Sequence, residues 1–315
     1  MGDRQECGAV RVAVVAIGSN STRLLIAECG DGRVDRELER RSTVTRLGMG
    51  VDASGALDEA AMQRVYSTLD EYRALIDGSG GERAIAVLTS AVRDASNGAE
   101  FADRVEREYR LEPHILTGDE EARLTFLGAT SERDPADQTP VLVVDIGGGS
   151  TEIVIGKGHE MSFHISNQAG VVRQTERHLH SDPPQRSELE ALARDVRAIF
   201  GEGVPADERR AVRHAIAVAG TATSLGAIAQ KLEPYDPEKV HGYVLSAAEI
   251  ERLLDSLAAI PVEERRKVPG LHPDRAPTIV AGAIILLETV RLFGLSEVGV
   301  SEHDILRGAA LGLAS

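Results

Sequence analysis

The chain has 315 residues, 42% of them apolar and 27% charged, and a formal net charge of −15. This length accommodates two domains, each burying its own core. The acidic balance excludes nucleic acid as a bulk partner, because a polyanion would meet repulsion over most of the surface. With 3% aromatics and no Trp there is also little material for base stacking. An anionic substrate therefore needs a local basic pocket.

The N-terminus, M-G-D-R-Q-E-C-G, lacks an apolar signal core, and Glu6 stands where a myristoylation motif wants Ser or Thr. Cys7 and Cys29 have neither C-x-x-C nor metal-ligand spacing. They read as free thiols in a reducing compartment, which points to the cytoplasm. Strands are expected at 11–17, 22–28 and 34–42, the last an exposed edge with alternating charge, and Gly30-Asp31-Gly32 makes the turn before it. A polar, Gly-rich link at 48–56 leads to a helix capped at Asp58. Met62, Val65, Tyr66, Leu69 and Leu75 are its inward stripe.

A strand at 84–88 leads into T-S-A-V-R, with Arg93 at its C-terminal end, where open α/β sheets bind ligands. A short strand at 114–116 precedes T-G-D-E-E-A-R-L. Thr117 and Glu120 have capping-box spacing there, which leaves Glu121 outside the box. The Asp-, Glu- and Pro-bearing link at 131–138 ends a first domain at 1–130 and opens a second at 131–301. A closing helix at about 302–315 is expected to pack back on the first.

The second domain begins with four apolar residues at 141–144, then Asp145, Gly147, Gly148, Gly149, Ser150 and Thr151. Such a turn suits a phosphate: glycines let N–H groups converge on an anion, hydroxyls add donors, and a strand-end carboxylate can hold a divalent cation. A strand at 160–166 follows, then helices at 170–180 and at 187–200, the latter with a Ser187/Glu190 capping box. Next come a strand at 212–218, a small-residue turn at 219–224, a helix capped by Ser246 and Glu249, and an apolar helix within 274–293. Residues 276–287 are too short and too mixed to span a bilayer, so no membrane association is expected. A last strand is expected at 298–301.

The glycine turn has a second copy. Residues 12–26, V-A-V-V-A-I-G-S-N-S-T-R-L-L-I, align without a gap on residues 141–155, V-L-V-V-D-I-G-G-G-S-T-E-I-V-I. Self-similarity of this kind means two structural repeats, each a strand, a tight polar turn and a strand. Two such turns facing each other across an interdomain cleft would grip one polyphosphate from both sides.

This paired arrangement resembles the acetate and sugar kinase, heat-shock chaperone ATPase and actin superfamily. More closely, the chain resembles the exopolyphosphatase and guanosine pentaphosphate phosphohydrolase family in a short form, without the further helical domain of longer members. The resemblance runs from about Val12 to Leu311. It is carried by I-G-S-N-S at 17–21, T-S-A-V-R-D-A-S-N at 89–97, G-D-E-E-A-R-L at 118–124 and D-I-G-G-G-S-T-E at 145–152. It implies an α/β fold of two actin-like (ribonuclease H-like) domains related by duplication, and relatives that are often dimers.

By this resemblance Glu121 matches the catalytic base and Arg93 holds substrate phosphate, a task suited to a guanidinium. Gly147, Gly148, Gly149 and Ser150 would hold the terminal phosphate from one side, and Ser19, Asn20 and Ser21 from the other. Asp145 with Glu152 would place Mg²⁺ as a Lewis acid. His241, Arg275 and Arg307 lie in stretches resembling the family, and His241 is the best additional phosphate ligand of the three. Nine histidines without H-x-x-x-H spacing give no zinc site.

One departure stands out: where the family has an acid before its first turn, this chain has Ala16. The loss implies slowed turnover, an altered metal need or inactivity. The reading is an exopolyphosphatase that releases orthophosphate from inorganic polyphosphate, with guanosine pentaphosphate (pppGpp) as the alternative substrate. An ATP-dependent kinase is weakened by Glu121, and a polyphosphate or alarmone sensor is kept open by Ala16.

Overall fold

The computed structural model describes residues 10–80 and 83–314; Cys7 and the N-terminal segment read above lie outside the described residues. The chain divides into two compact units. One comprises the described residues up to Thr117 together with those from Ile305 onward, and the other is Gly118–Asp304.

The first unit contains β1 (Val10–Ile17), β2 (Ser21–Gly30), β3 (Arg33–Val44), β4 (Arg83–Leu88) and β5 (Glu112–Ile115) in the order β3-β2-β1-β4-β5. The β1–β2 and β2–β3 pairs are antiparallel, while β4 runs parallel to both β1 and β5. β1 is fully apolar from Val12 to Ile17 and takes a central place with both faces covered. The charged β3 lies at the edge, where its unpaired side meets water. On one face Ala13, Val15 and Ile17 pack against helices Glu59–Ser79 and Gly98–Tyr109. Helix Ile305–Ala314 lies across β1 and β2, with Arg307 paired to Glu37 of β3 at 3.3 Å.

Asp58 caps the long helix by accepting from Ala61 N–H. Val65, Tyr66 and Leu69 are buried as expected and the stripe continues through Tyr72 and Ile76, whereas Met62 and Leu75 are only partly buried. The Tyr72 hydroxyl bonds Thr22 O at 3.0 Å and Thr43 Oγ1 at 3.1 Å, so an aromatic with a polar tip reaches the sheet where a shorter aliphatic would not.

The second unit contains β6 (Val141–Ile146), β7 (Thr151–Lys157), β8 (Glu160–Asn167), β9 (His214–Val218), β10 (Val244–Ser246) and β11 (Glu297–Val300). Its order is β10-β11-β9-β6-β7-β8. Without β10, this repeats the first sheet strand for strand, with the same parallel and antiparallel pairings. The register repeats as well: Ile17 pairs with Thr22 and Ile146 with Thr151. Two α/β units with this order make the actin-like fold, and the duplication read in residues 12–26 and 141–155 extends to the whole of both sheets.

The division differs from the expected one. Helix Gly118–Thr130, placed above in the first domain, packs against β6, β7 and β8 of the second sheet. Its Ala122 and Phe126 form a buried cluster with Val141, Val143 and Val154, and Gly156 gives room to the Phe126 ring. The Asp- and Pro-bearing link after it is a connection within a unit, so composition alone misplaced the boundary.

The other face of the second sheet carries the larger core. Leu142, Val144 and Ile146 meet helices Arg186–Gly203, Ala219–Gln230 and Ile279–Leu292 there. The apolar segment at 276–287 thus lies in a helix buried on nearly every side. Ser246 caps its helix by accepting from Glu249 N–H. The box at the start of helix Arg186–Gly203 is made by Gln185 and Glu188, two residues before Ser187 and Glu190, and residues 219–224 are already helical.

Cys29 is a buried free thiol, and burial pushes its pKa up to about 11. Among the described residues no helix is long and apolar enough to cross a membrane. Phe126 is 1% exposed, so Phe126→Ala should destabilise the chain by about 3–5 kcal/mol through lost transfer energy and a cavity, read as a lowered urea midpoint.

Candidate active site

The glycine turn joins β6 to β7 and closes through Gly147 N–H donating to Ser150 O at 3.0 Å. Its carbonyls are all engaged from behind. Gly149 O accepts from Gly170 N–H at 3.1 Å, Gly147 O from Val171 N–H at 2.9 Å and Gly148 O from Val172 N–H at 2.9 Å. Arg173 adds its Nε–H to Gly149 O at 2.9 Å. The donors on the opposite side are unspent: the N–H groups of Gly148, Gly149 and Ser150 meet no acceptor among the described residues. A turn with its C=O groups tied back and its N–H groups turned out is an anion cradle. Gly170 makes the close approach possible, since a Cβ there would overlap the carbonyl of Gly148.

The first unit repeats the device between β1 and β2. Gly18 N–H donates to Ser21 O at 3.0 Å, Thr45 and Arg46 N–H both reach Asn20 O, and Gly48 N–H reaches Ser19 O at 2.8 Å. Gly48 plays the part of Gly170, for a Cβ there would crowd Ser19. Thr22 and Thr151, equivalent in the repeat, brace the two hairpins through Thr45 Oγ1 at 3.0 Å and Ala169 O at 2.7 Å. Ser19 and Asn20 are buried, and the Asn20 Oδ1 has no hydrogen-bond partner among the described residues. Ser19 Oγ lies 3.0 Å from Ser90 Oγ, which joins this turn to the short helix Ser90–Asp94. Arg93 is in that helix, beyond the strand end where the sequence put it. Its Nη1–H donates to Leu116 O at 2.9 Å, and its Nε lies 3.5 Å from Asp94.

Asp145 and Glu152 are cross-strand partners on one face of the second sheet, 6% and 1% exposed. Glu152 Oε1 accepts from Ser166 Oγ at 2.8 Å. On that face lies helix Gly118–Thr130, whose direction is fixed by its contacts: Gly118 abuts Ser166 at one end and Phe126 abuts Gly156 at the other. His164 Nε2 to Asp119 at 2.7 Å pins the first turn. Glu121 is in that turn, 6% exposed, over the end of the sheet that carries the two acids, while Glu120 faces solvent. Two buried carboxylates with a third above them offer hard oxygen donors, a set that fits Mg²⁺.

The sequence pattern of the Ppx/GppA phosphatase family matches residues 25–313. The chain belongs to the Ppx/GppA phosphatase family. Exopolyphosphatase 2 of Mycobacterium tuberculosis is 39% identical, over 96% of this chain and 98% of its own length. The crystal structure of the Aquifex aeolicus Ppx/GppA family member is 35% identical with a TM-score of 0.80, over 96% of this chain and 97% of that one. An exopolyphosphatase from Cytophaga hutchinsonii is 27% identical with a TM-score of 0.86, again over 96% and 97%. The chain is thus a phosphatase of the Ppx/GppA type.

Within the second unit of this Ppx/GppA phosphatase the structure brings together Glu121, Asp145, Glu152 and the 147–150 turn. Within the first it joins Ser19, Asn20 and Ser21 to the Arg93 helix. His241 stands elsewhere in the second unit, its Nε2 3.8 Å from Glu132. Arg275 packs its guanidinium against Gly220, in the space that a Cβ there would take. Sequence reasoning missed Ser166, Gly170 and Gly48. The two glycines each follow the third strand of a repeat, but unequal intervening lengths hide them from an ungapped alignment. Gly170→Ala should lower stability by about 1–3 kcal/mol by overpacking. A denaturation midpoint equal to that of the parent chain would contradict the tight seat described for the turn.

Proposed function

We propose that this phosphatase is an exopolyphosphatase, hydrolysing the terminal phosphoanhydride of inorganic polyphosphate with Mg²⁺ and releasing orthophosphate. The observation that carries the reading is the set of unspent N–H groups at Gly148, Gly149 and Ser150 beside the buried Asp145–Glu152 pair, with Glu121 over the same end of the sheet. Gly147, Gly148, Gly149 and Ser150 bind the terminal phosphate in this reading. Ser19, Asn20, Ser21 and Arg93 are the phosphate-binding set of the first unit in this reading. Asp145 and Glu152 would hold the Mg²⁺, which when bound would supply charge neutralisation. Glu121 accepts a proton from the attacking water. The new P–O bond forms as the bridging P–O bond breaks, and the chain leaves one phosphate shorter.

His241 is left out of the phosphate set, because an imidazole facing the Glu132 carboxylate suits a cation better than an anion. The buried Cys29 thiol fits a reducing cytoplasm. Removal of the base should cost about 10²- to 10⁴-fold in kcat for Glu121→Gln with an unchanged fold. Phosphate release from polyphosphate, pppGpp and ATP, with and without Mg²⁺, measures this and ranks the substrates. Unaltered turnover in that variant would remove Glu121 from the chemistry.

A second reading, a polyphosphate or alarmone binder with weak turnover, is favoured by Ala16. This residue is 2% exposed, at the place of Asp145 in the repeat, and its cross-strand partner is Arg23 where Asp145 has Glu152. Ala16→Asp sets a carboxylate beside a guanidinium, so the variant should fold. A gain of tenfold or more in hydrolysis, on the order of one well-placed group, would assign the present chain to slow turnover. No gain would make the acid dispensable.

A further inference from the structure

Outside the proposed active site, the second unit gathers Glu132, His241 and His303, whose ligand atoms all lie within 4.8 Å of one another. His241 Nε2 and His303 Nδ1 are 3.8 and 3.7 Å from the same Glu132 oxygen, and the two rings stand 4.3 Å apart between centroids. Each residue comes from the end of a different element. Glu132 follows helix Gly118–Thr130, His241 follows the helical turn Pro237–Val240, and His303 follows β11. No sequence spacing records such a set, which is why a search for H-x-x-x-H passes over it.

The backbone holds the three segments in place. His241 N–H donates to Pro237 O at 2.9 Å, Gly242 N–H to Val300 O at 2.8 Å, and Val300 N–H to Tyr243 O at 2.8 Å. His303 N–H donates to Ser301 Oγ at 3.0 Å. The neighbouring carboxylate of Glu302 is taken by the Tyr235 hydroxyl, so Glu132 is the acid that faces the rings. Its side chain is 58% exposed, which leaves the cluster open to ions from solvent.

We propose that Glu132, His241 and His303 form a binding site for a zinc-class divalent ion, separate from the oxygen-donor set at Asp145 and Glu152. Two imidazoles and one carboxylate are the donors that zinc and cobalt favour, whereas magnesium prefers oxygen alone. Around one tetrahedral ion the ligand atoms stand about 3.3 Å apart, so each donor pair that shares Glu132 needs to close by about 0.5 Å and the two imidazole nitrogens by at most about 1.5 Å.

The tautomer of His241 adds a signature. Its Nδ1 accepts from Glu302 N–H at 3.2 Å, so the metal-free ring carries its proton on Nε2, the atom facing Glu132. Metal ligation moves that proton to Nδ1, where Ser301 Oγ at 3.5 Å is placed to accept it, and the Glu302 bond is given up.

The test uses the full chain, stripped of metal and then held in excess Mg²⁺ so that the oxygen-donor site is filled. Cobalt(II) should bind once per chain with visible d–d bands of nitrogen coordination, and zinc should displace it and raise the thermal midpoint. Glu132→Gln, on the surface, and His303→Ala should each weaken zinc binding about tenfold or more; His272→Ala, away from the cluster, should not. The His241 ring ¹⁵N shifts should report the proton's move from Nε2 to Nδ1. Absence of saturable cobalt or zinc binding would overturn the proposal. Binding undiminished in both Glu132→Gln and His303→Ala would do so equally, by placing the ion elsewhere. The readouts are binding and spectroscopy, so phosphatase activity does not enter the outcome.

Discussion

The organising constraint in each unit is where the backbone of a four-residue turn spends its hydrogen bonds. A hairpin turn exposes both carbonyls and amides, and its affinity for an anion depends on removing the carbonyls from view. Here the segment after the third strand does this by lending its own N–H groups, so Gly147, Gly148 and Gly149 all point their oxygens backward. The arrangement demands a glycine at the point of contact, Gly170 in one unit and Gly48 in the other. It also demands that the third strand end in the right place, which is why the order of three antiparallel strands precedes every other feature of the sheets.

Duplication supplies this device twice, but the chemistry is not duplicated. The second repeat places Asp145 opposite Glu152, and the first places Ala16 opposite Arg23. Two buried carboxylates side by side across a strand pair repel when both are charged, a burden that a bound cation would relieve. The first repeat has no such burden. Its buried Ala16 and neighbouring cationic side chain suit a role in holding an anion, while the second repeat carries the acids. Under the proposed function, this asymmetry between equivalent positions would separate phosphate holding from cation holding.

Much of this was legible in the sequence. The ungapped match of 12–26 to 141–155 announced both hairpins and their register, and apolar runs at 12–17 and 141–144 announced strands covered on both faces. The two-unit α/β architecture followed from the repeat. Three features were not legible, each for a physical reason. The long helix continues its buried stripe at Tyr72 and Ile76 rather than at Leu75, because the Tyr72 hydroxyl is satisfied by bonds to β2 and β3, a tertiary contact that the sequence does not display. The Gln185/Glu188 box won over Ser187/Glu190 because Glu188 also accepts from His180 and Ser181, contacts from outside the helix. The cluster of Glu132, His241 and His303 draws on three segments distant from one another in the chain, and only the pairing of the sheet's strands brings them together.

The unit boundary has a consequence for the site. Each sheet is covered on the same face by a helix: Gly118–Thr130 covers the second, and Ile305–Ala314, the last helix, covers the first. In each case the covering helix meets the strand that carries the repeat's opening motif, so the two are structural counterparts although one precedes its sheet and the other ends the chain. Because helix Gly118–Thr130 belongs to the second sheet, Glu121 shares a single rigid core with Asp145 and Glu152. That core is pinned through Phe126 against Gly156, Gly118 against Ser166, and Asp119 against His164. In the proposed reaction, Glu121 as base and the two acids as cation ligands would have to keep their mutual geometry to within a fraction of an ångström for a water to be both positioned and deprotonated. Building all three into one unit secures that geometry independently of anything the other unit does.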